Sequence, residues 1–78
     1  MADRTYDVVV ANILANPLIE LADVLLGALA DSGVLVMAGL LEDQADAVMA
    51  AYPTLEFKPP VLEADEQGGR WARLEGLR

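Results

Sequence analysis

Two uninterrupted apolar runs alternate along the chain with two stretches whose apolar residues recur at helical spacing. The first run, residues 6–12, contains the consecutive β-branched residues Val8, Val9 and Val10, and the second run covers residues 34–38. An apolar run that does not alternate with polar residues is typical of a strand buried on both faces. The pattern therefore predicts two strands of a parallel sheet, each followed by a helix.

The first helix is predicted to begin at Asn16-Pro17, because Asn is a common helix cap and Pro fits the first helical position. It is predicted to end at residues 31–33, with Gly33 in a left-handed turn. Its apolar stripe consists of Leu18, Leu21, Ala22, Leu25 and Leu29, widened by Ile19 and Leu26.

The second helix is predicted after Gly39, which closes the 34–38 strand. Glu42 and Asp43 lie near its start, where carboxylates suit the positive end of the helix dipole. Pro53 ends it. Its apolar stripe consists of Leu41, Ala45, Val48, Met49 and Tyr52.

Beyond Pro53 the pattern changes to extended segments. Residues 55–62 form a predicted edge strand, because Pro59-Pro60 removes backbone donors that a central strand needs. An acidic, glycine-containing turn at 64–69 leads into a last strand over 70–77, antiparallel to its neighbour. The resulting order, β-α-β-α-β-β, predicts an α/β fold with parallel strands and a terminal antiparallel hairpin.

Composition and charge exclude several classes of function. Thirteen acidic against five basic residues give a net charge of −8, so nucleic acid is not an expected partner, because phosphate chains are bound through Lys and Arg. The chain has no Cys and no His, which excludes disulfides, Cys- or His-based metal sites and His-dependent catalysis. The longest strongly apolar stretch, residues 8–14, is too short to cross a bilayer. With no secretory signal pattern before it, we expect no membrane partner and a cytoplasmic location.

Two loops occupy the position where open α/β sheets bind ligands, beyond the carboxyl ends of the parallel strands. They cover residues 12–17 and 39–42. The side-chain amide of Asn12 offers one acceptor and two donors, so it can orient an amine or a carboxylate without carrying charge. In the alternative interpretation, Asn12 only satisfies the backbone of its own loop, as Asn often does in turns.

Other polar or aromatic residues have structural explanations. Asn16 is explained by its capping position before Pro17. Asp7 lies near the amino end of the first strand and is expected to face solvent. Trp71, on the last strand, is expected to pack over a helix or a sheet edge, although an exposed Trp could mark an interface.

The sequence lacks two features of a complete nucleotide-binding half. No G-x-G loop stands between a strand and a helix, and no acidic residue closes an early strand to bind a ribose. A small nucleotide-binding protein is therefore disfavoured. The pattern instead matches only the second half of a doubly wound sheet.

Three segments, residues 6–18, 32–45 and 71–76, resemble the C-terminal part of the ribosomal protein L11 methyltransferases. The most specific part is the element Asn12-Ile13-Leu14-Ala15, followed at the matching distance by residues 39–45, Gly-Leu-Leu-Glu-Asp-Gln-Ala. Either element alone would be a weak signal. Together the two elements are quite specific, and the resemblance as a whole covers nearly the whole chain.

This resemblance implies a class I, S-adenosylmethionine-dependent methyltransferase with a Rossmann-like sheet. Residues 1–78 would form one partial domain, the second half of the catalytic domain, without the cofactor-loop half and the substrate domain. A complete enzyme would methylate amino groups of a ribosomal protein, with S-adenosylmethionine as cofactor. The resemblance assigns Asn12 a catalytic and cofactor-binding role near the transferred methyl group, and assigns Ile13 and Leu14 contacts to the cofactor.

Two expectations follow for the chain by itself. Without a glycine-rich loop it should bind S-adenosylmethionine weakly or not at all, and should be inactive alone. In the alternative hypothesis it is a non-enzymatic interaction module. The exposed edge of the first strand would then pair with another chain and produce a homodimer.

Overall fold

The computed structural model describes residues 4–78, and these form a five-stranded mixed sheet with helices packed on one face. The elements in chain order are β1 (Tyr6–Asn12), α1 (Ala15–Glu20), α2 (Ala22–Ala28), β2 (Leu29–Leu41), a 3-10 turn (Glu42–Gln44), α3 (Ala45–Ala50), β3 (Glu56–Phe57), β4 (Val61–Ala64) and β5 (Arg70–Leu77).

The sheet has the order β1-β2-β5, with β3 and β4 both paired to the far edge of β5. β1 and β2 are parallel, and Val8 is paired with Val34 and Asn12 with Ala38. β5 is antiparallel to β2, and β4 and β5 form the antiparallel hairpin that the sequence predicts. The α/β class, the parallel pair and the closing hairpin are thus confirmed.

The outer strand is interrupted as the double proline predicts. β3 and β4 are separated by residues 58–60, which include Pro59-Pro60. Lys58 keeps the segment attached to the sheet, because its backbone N–H donates to the Glu75 carbonyl at 3.0 Å. Its ammonium group also forms an ion pair with Glu75, with nitrogen and oxygen 3.4 Å apart.

The core lies between the helices and one face of the sheet. Tyr52, which follows α3, is fully buried, and its hydroxyl donates a 2.5 Å hydrogen bond to the Leu18 carbonyl of α1. This bond joins the two helical segments across the core and satisfies the polar end of a buried aromatic ring. Burial of each large apolar side chain in this core contributes about 1.5–3 kcal/mol. The other large side chains with little or no exposure are Leu18, Leu29, Leu35, Met37, Leu40, Val48 and Leu74.

The first predicted helix differs from the structure in four respects. It is two short helices that meet at Leu21, and the chain is already in β2 from Leu29 onward. The helix begins at Ala15, and Asn16 lies inside it without making a capping hydrogen bond. The left-handed residue is Ser32, with φ of 63°, rather than Gly33.

The prediction that β1 is buried on both faces is wrong. Val9 and Ala11 face the helices, but Tyr6, Val8 and Val10 are 52, 60 and 68 % exposed. Since side chains alternate along a strand, these three residues share the face of the sheet that no described helix covers.

Within residues 4–78, no helix is long and apolar enough to cross a membrane.

Candidate functional site

The carboxyl ends of β1 and β2 bring Asn12 next to Gly39. Asn12 is the last residue of β1 and is paired with Ala38, the residue before Gly39. Gly39 lies in a bulge of β2 against β5, where the pairing shifts between Met37 and Leu40. Such bulges are common beside functional sites, because they change the direction of a strand locally.

Gly39 is required here by both backbone conformation and space. Its φ is +87°, in the region that residues with a Cβ rarely adopt. A Cβ at this position would lie 2.9 Å from Asn12 Oδ1 and 2.9 Å from the Ile13 carbonyl oxygen. The Asn12 amide therefore occupies the space that a side chain at position 39 would need.

The Asn12 amide is exposed, and among residues 4–78 it takes part in no side-chain hydrogen bond. The interpretation in which Asn12 satisfies its own loop backbone needs such a bond. The donors and the acceptor of this amide are therefore open to solvent or to a ligand.

A cavity of about 360 Å³ opens beside this position. Gly39 forms one side of it, the segment 14–17 forms another, and Trp71 of β5 closes it. A second cavity of about 270 Å³ shares Gly39 and Trp71 with the first and is also lined by Glu63 and Arg73. The carboxyl end of β2 thus borders a neutral cavity and a charged one, and the segment after β1 lines the neutral one.

Trp71 is held in place by the turn between β4 and β5. Its indole Nε1–H donates to Asp65 Oδ2 at 3.0 Å. Asp65 Oδ1 accepts the backbone N–H groups of Gly69 at 2.7 Å and Gln67 at 2.9 Å. The hydrogen bond from Trp71 contributes most to lowering the pKa of the Asp65 carboxyl group below its ordinary value, and the bond from Gly69 adds to it.

This coupling predicts a pH dependence of the hairpin. Because the folded pKa of Asp65 is depressed, its contribution to order is present above the ordinary value of 3.8 and is lost as the pH falls through the lower folded value. We expect Trp71 fluorescence to change with a midpoint below pH 3.8. Asp65→Asn should remove that transition, and Glu66→Gln, at the next residue, should retain it. A transition that persists in Asp65→Asn would contradict the assignment.

Glu42 and Asp43 have different surroundings from each other. Both lie in the 3-10 turn before α3, close to the helix start as predicted. Glu42 also forms an ion pair with Arg70 of β5, and both partners are substantially exposed. Exposed pairs of this kind contribute about 0–1 kcal/mol, so this one orients the turn more than it stabilises the fold.

Asp7 is exposed near the amino end of β1, as expected.

Asn12 stays a predicted site residue, and the sequence did not predict that Trp71 lines a cavity nearby or that Asp65 holds its indole. The sequence feature that could have indicated this support is the turn 65–69, in which an Asp stands shortly before a Gly-Gly pair. Ile13 and Leu14 lie directly after β1, and Leu14 lines the neutral cavity. Among the described residues, no group of three or more acidic side chains is placed to hold a metal ion.

The fold and this site define a class of protein. A solved structure, the ribosomal protein L11 methylase from Lactobacillus delbrueckii subsp. bulgaricus, matches 99 % of this chain with a TM-score of 0.75 and 28 % identity. The match covers 38 % of that longer chain. The sheet is therefore that of the C-terminal part of a class I methyltransferase.

The family model described as Ribosomal protein L11 methyltransferase (PrmA) matches residues 1–78. The chain belongs to the ribosomal protein L11 methyltransferase family. A relative from Idiomarina loihiensis is 45 % identical over 92 % of this chain, and one from Methylococcus capsulatus is 42 % identical over 100 % of it. Both carry the name Ribosomal protein L11 methyltransferase, and this chain spans 23 % and 26 % of their lengths.

Proposed function

We propose that this chain forms the amine-positioning part of an S-adenosylmethionine-dependent protein N-methyltransferase that acts on amino groups of a ribosomal protein. The observation that carries the proposal is the exposed Asn12 amide. It lies at the carboxyl end of β1, against Gly39, without a hydrogen-bond partner among the described side chains. Residues 1–78 then constitute one partial methyltransferase domain.

In this proposal the Asn12 amide orients the nucleophile. S-adenosylmethionine, when bound, supplies an electrophilic methyl group, so the protein needs no nucleophile of its own. The attacking amine must be neutral and aimed at that methyl group. Asn12 Oδ1 accepts an N–H of the amine and so directs its lone pair, while the backbone of Ile13 and Leu14 borders the cofactor.

The residues of this chain suit the amine end of the site better than the cofactor end. An uncharged amide next to a neutral cavity matches a neutral amine. Within residues 4–78, however, no glycine-rich loop stands between a strand and a following helix. We therefore expect S-adenosylmethionine to bind the isolated chain weakly or not at all, and a low-micromolar affinity by calorimetric titration would contradict this.

A chimaeric enzyme tests the proposed function directly. The matching 73-residue segment of the Idiomarina loihiensis relative is replaced by this chain, and methyl transfer from S-adenosylmethionine to purified ribosomal protein L11 is measured. We expect the chimaera to methylate the protein, whereas the isolated chain does not. A chimaera that folds, binds the cofactor and transfers no methyl group would sink the proposal.

We also propose that the isolated chain assembles as a homodimer through β1. Among the described strands, β1 is paired only with β2, so its other edge carries unpaired backbone donors and acceptors. The exposed side chains of Tyr6, Val8 and Val10 lie on the uncovered face of the same strand. A second copy of β1, antiparallel to the first, would satisfy these backbone groups and place its own apolar side chains beside these three.

The dimer can be tested with a matched pair of substitutions. Val8→Lys places a charge on the proposed interface and should convert the dimer to a monomer in light scattering, because charged side chains block edge pairing. Val61→Lys places the same charge on β4, an exposed strand at the opposite edge, and should leave the mass unchanged. A stable wild-type monomer at micromolar concentration would refute the dimer.

A further inference from the structure

The buried hydroxyl group of Tyr52 is linked through α1 to the segment that carries the candidate site. We propose that Tyr52 is a positioning residue for methyl transfer: its hydrogen bond to the Leu18 carbonyl fixes α1 and so holds the Asn12 amide where it aims the amine. Tyr52 lines neither of the cavities that contain Gly39, so it acts through the backbone of α1. The inference rests on the proposed function and adds to it a residue outside the site.

The helical segment after β1 is interrupted at Leu21, between α1 and α2. The end of a helix leaves carbonyl groups without backbone partners. Within residues 4–78, the Ala22 N–H does not donate to the Leu18 carbonyl as it would in a continuous helix, and the ladder resumes with the 2.9 Å bond from Leu25 to the Leu21 carbonyl. The interruption therefore leaves the Leu18 carbonyl in need of another donor.

The Leu18 carbonyl has to find this donor inside the protein. Ile19 and Glu20, whose carbonyl groups are freed by the same interruption, are exposed residues that water can reach. Leu18 has no exposed surface, and a buried carbonyl without a donor is destabilising. The Tyr52 hydroxyl, itself fully buried, donates to it at 2.5 Å. Tyr52 thus takes the place of the missing backbone bond.

This hydrogen bond is the directional contact in an otherwise apolar core. Among the buried residues of the described chain, Tyr52 is the one whose side chain carries a polar group. Apolar burial is non-directional, whereas a hydrogen bond constrains both distance and angle. Packing of the leucine and valine side chains therefore holds α1 against the sheet, and the Tyr52 hydroxyl sets its exact position.

A second hydrogen bond carries that position to the site. The Leu18 N–H donates to the Leu14 carbonyl at 3.1 Å, and Leu14 follows Asn12 by two residues and lines the neutral cavity. The Asn12 side-chain oxygen lies against Gly39, which leaves it little freedom to compensate for a shift of the segment. A misplacement of about 1 Å in a reacting group can cost about 100-fold in rate, so a bond outside the cavities can affect catalysis.

Tyr52 should perform this role at every working pH. Desolvation raises the pKa of its hydroxyl above the ordinary value of 10.0, so the group keeps its proton and remains a donor through the neutral range. Loss of the hydroxyl should therefore lower kcat without moving the pH–rate profile. An effect on the charge of the amine would move that profile.

Hydrogen exchange in the isolated chain tests whether the bond fixes α1. Tyr52→Phe keeps the ring in the core and removes only the hydroxyl group, so the chain should remain folded. By NMR, the Leu18 amide should exchange about tenfold faster, the factor that corresponds to one lost hydrogen bond. The Lys58 amide, which is bonded within the sheet, should change by less than about twofold. Tyr6→Phe removes the same hydroxyl from an exposed ring and should change neither rate.

The chimaeric enzyme tests whether the position of α1 matters for catalysis. There Tyr52→Phe should lower kcat by about tenfold and change KM for the ribosomal protein by less than about twofold, because Tyr52 does not touch the substrate. In a chimaera that already carries Asn12→Ala, the same substitution should lower kcat by less than about twofold. Two residues that act through one group are not additive, whereas a general loss of stability would give the same factor in both backgrounds.

Three results would overturn the inference: equal acceleration of exchange at Leu18 and Lys58, unchanged kcat in Tyr52→Phe, or the same loss of kcat with and without Asn12. These results are distinct from failure of the proposed function. An active chimaera with unchanged kcat in Tyr52→Phe refutes only the inference. An inactive parent chimaera refutes the proposed function and the catalytic role of Tyr52 with it, and the exchange rates then decide whether the hydroxyl fixes α1.

Discussion

Gly39→Val should lower the free energy of unfolding by about 3 kcal/mol or more. A residue with a Cβ at φ of +87° costs about 1–2 kcal/mol. The contacts at 2.9 Å with Asn12 Oδ1 and the Ile13 carbonyl add a packing cost of about 1–3 kcal/mol, because a carbonyl of the backbone cannot move aside without distorting β1. The change should appear in urea denaturation followed by circular dichroism.

Gly68→Val is the matched control for this substitution. Gly68 has a similar φ of +83°, but a Cβ there would meet nothing within 4 Å. Its replacement should therefore cost only the conformational part, about 1–2 kcal/mol. The difference between the two variants measures the close approach of Asn12 and Ile13 to Gly39. Equal costs would mean that this approach relaxes freely and that Asn12 is not held where the structure has it.

The same glycine shows what the sequence could and could not predict. The apolar runs predicted β1 and β2 as parallel strands, and Gly39 was expected only to close the second one. In the structure β2 continues to Leu41, because a bulge at Gly39 absorbs one extra residue against β5. Bulges depend on the pairing partner, and that partner is more than 30 residues away in the chain.

The first helix was predicted too long for a related reason. The apolar stripe continues through Leu25 to Leu29, so periodicity alone does not mark an end. Leu29 instead begins β2 and is almost completely buried in the core. Gly33 is needed for space rather than for a left-handed turn, because a Cβ there would lie 2.7 Å from the Ala30 carbonyl oxygen. Such approaches are decided by tertiary packing.

The candidate site shows the same division between local and distant features. Asn12 could be predicted as a candidate because a polar amide ends an apolar run. The cavity beside it could not, because Trp71 is 59 positions further along the chain. The alternation of side chains along β5 correctly predicted that Trp71 and Arg73 lie on one face of the strand and Ala72 and Leu74 on the other. Ala72 and Leu74 are the buried pair. Nothing in that alternation places the Trp71 ring next to the segment after β1.

Asn12→Ala in the chimaeric enzyme should lower kcat for methylation of ribosomal protein L11 by about 100-fold, because the amine loses the acceptor that aims it. KM should change much less, because the other contacts between the enzyme and the ribosomal protein remain. Asn12 is exposed and makes no hydrogen bond with the described side chains, so the substitution should change the stability of the isolated chain by less than about 0.5 kcal/mol.

Two further variants distinguish a role of Asn12 in orienting the amine from a general effect of substitutions in β1. Asp7→Ala, near the amino end of the same strand, should leave kcat unchanged. Asn12→Asp retains an acceptor but adds a negative charge that stabilises the ammonium form of the substrate, which raises the pKa of the amine. Its activity should therefore be low at neutral pH and recover as the pH rises, so that the pH–rate profile moves to higher pH. Full activity of Asn12→Ala at neutral pH would show that Asn12 does not position the amine.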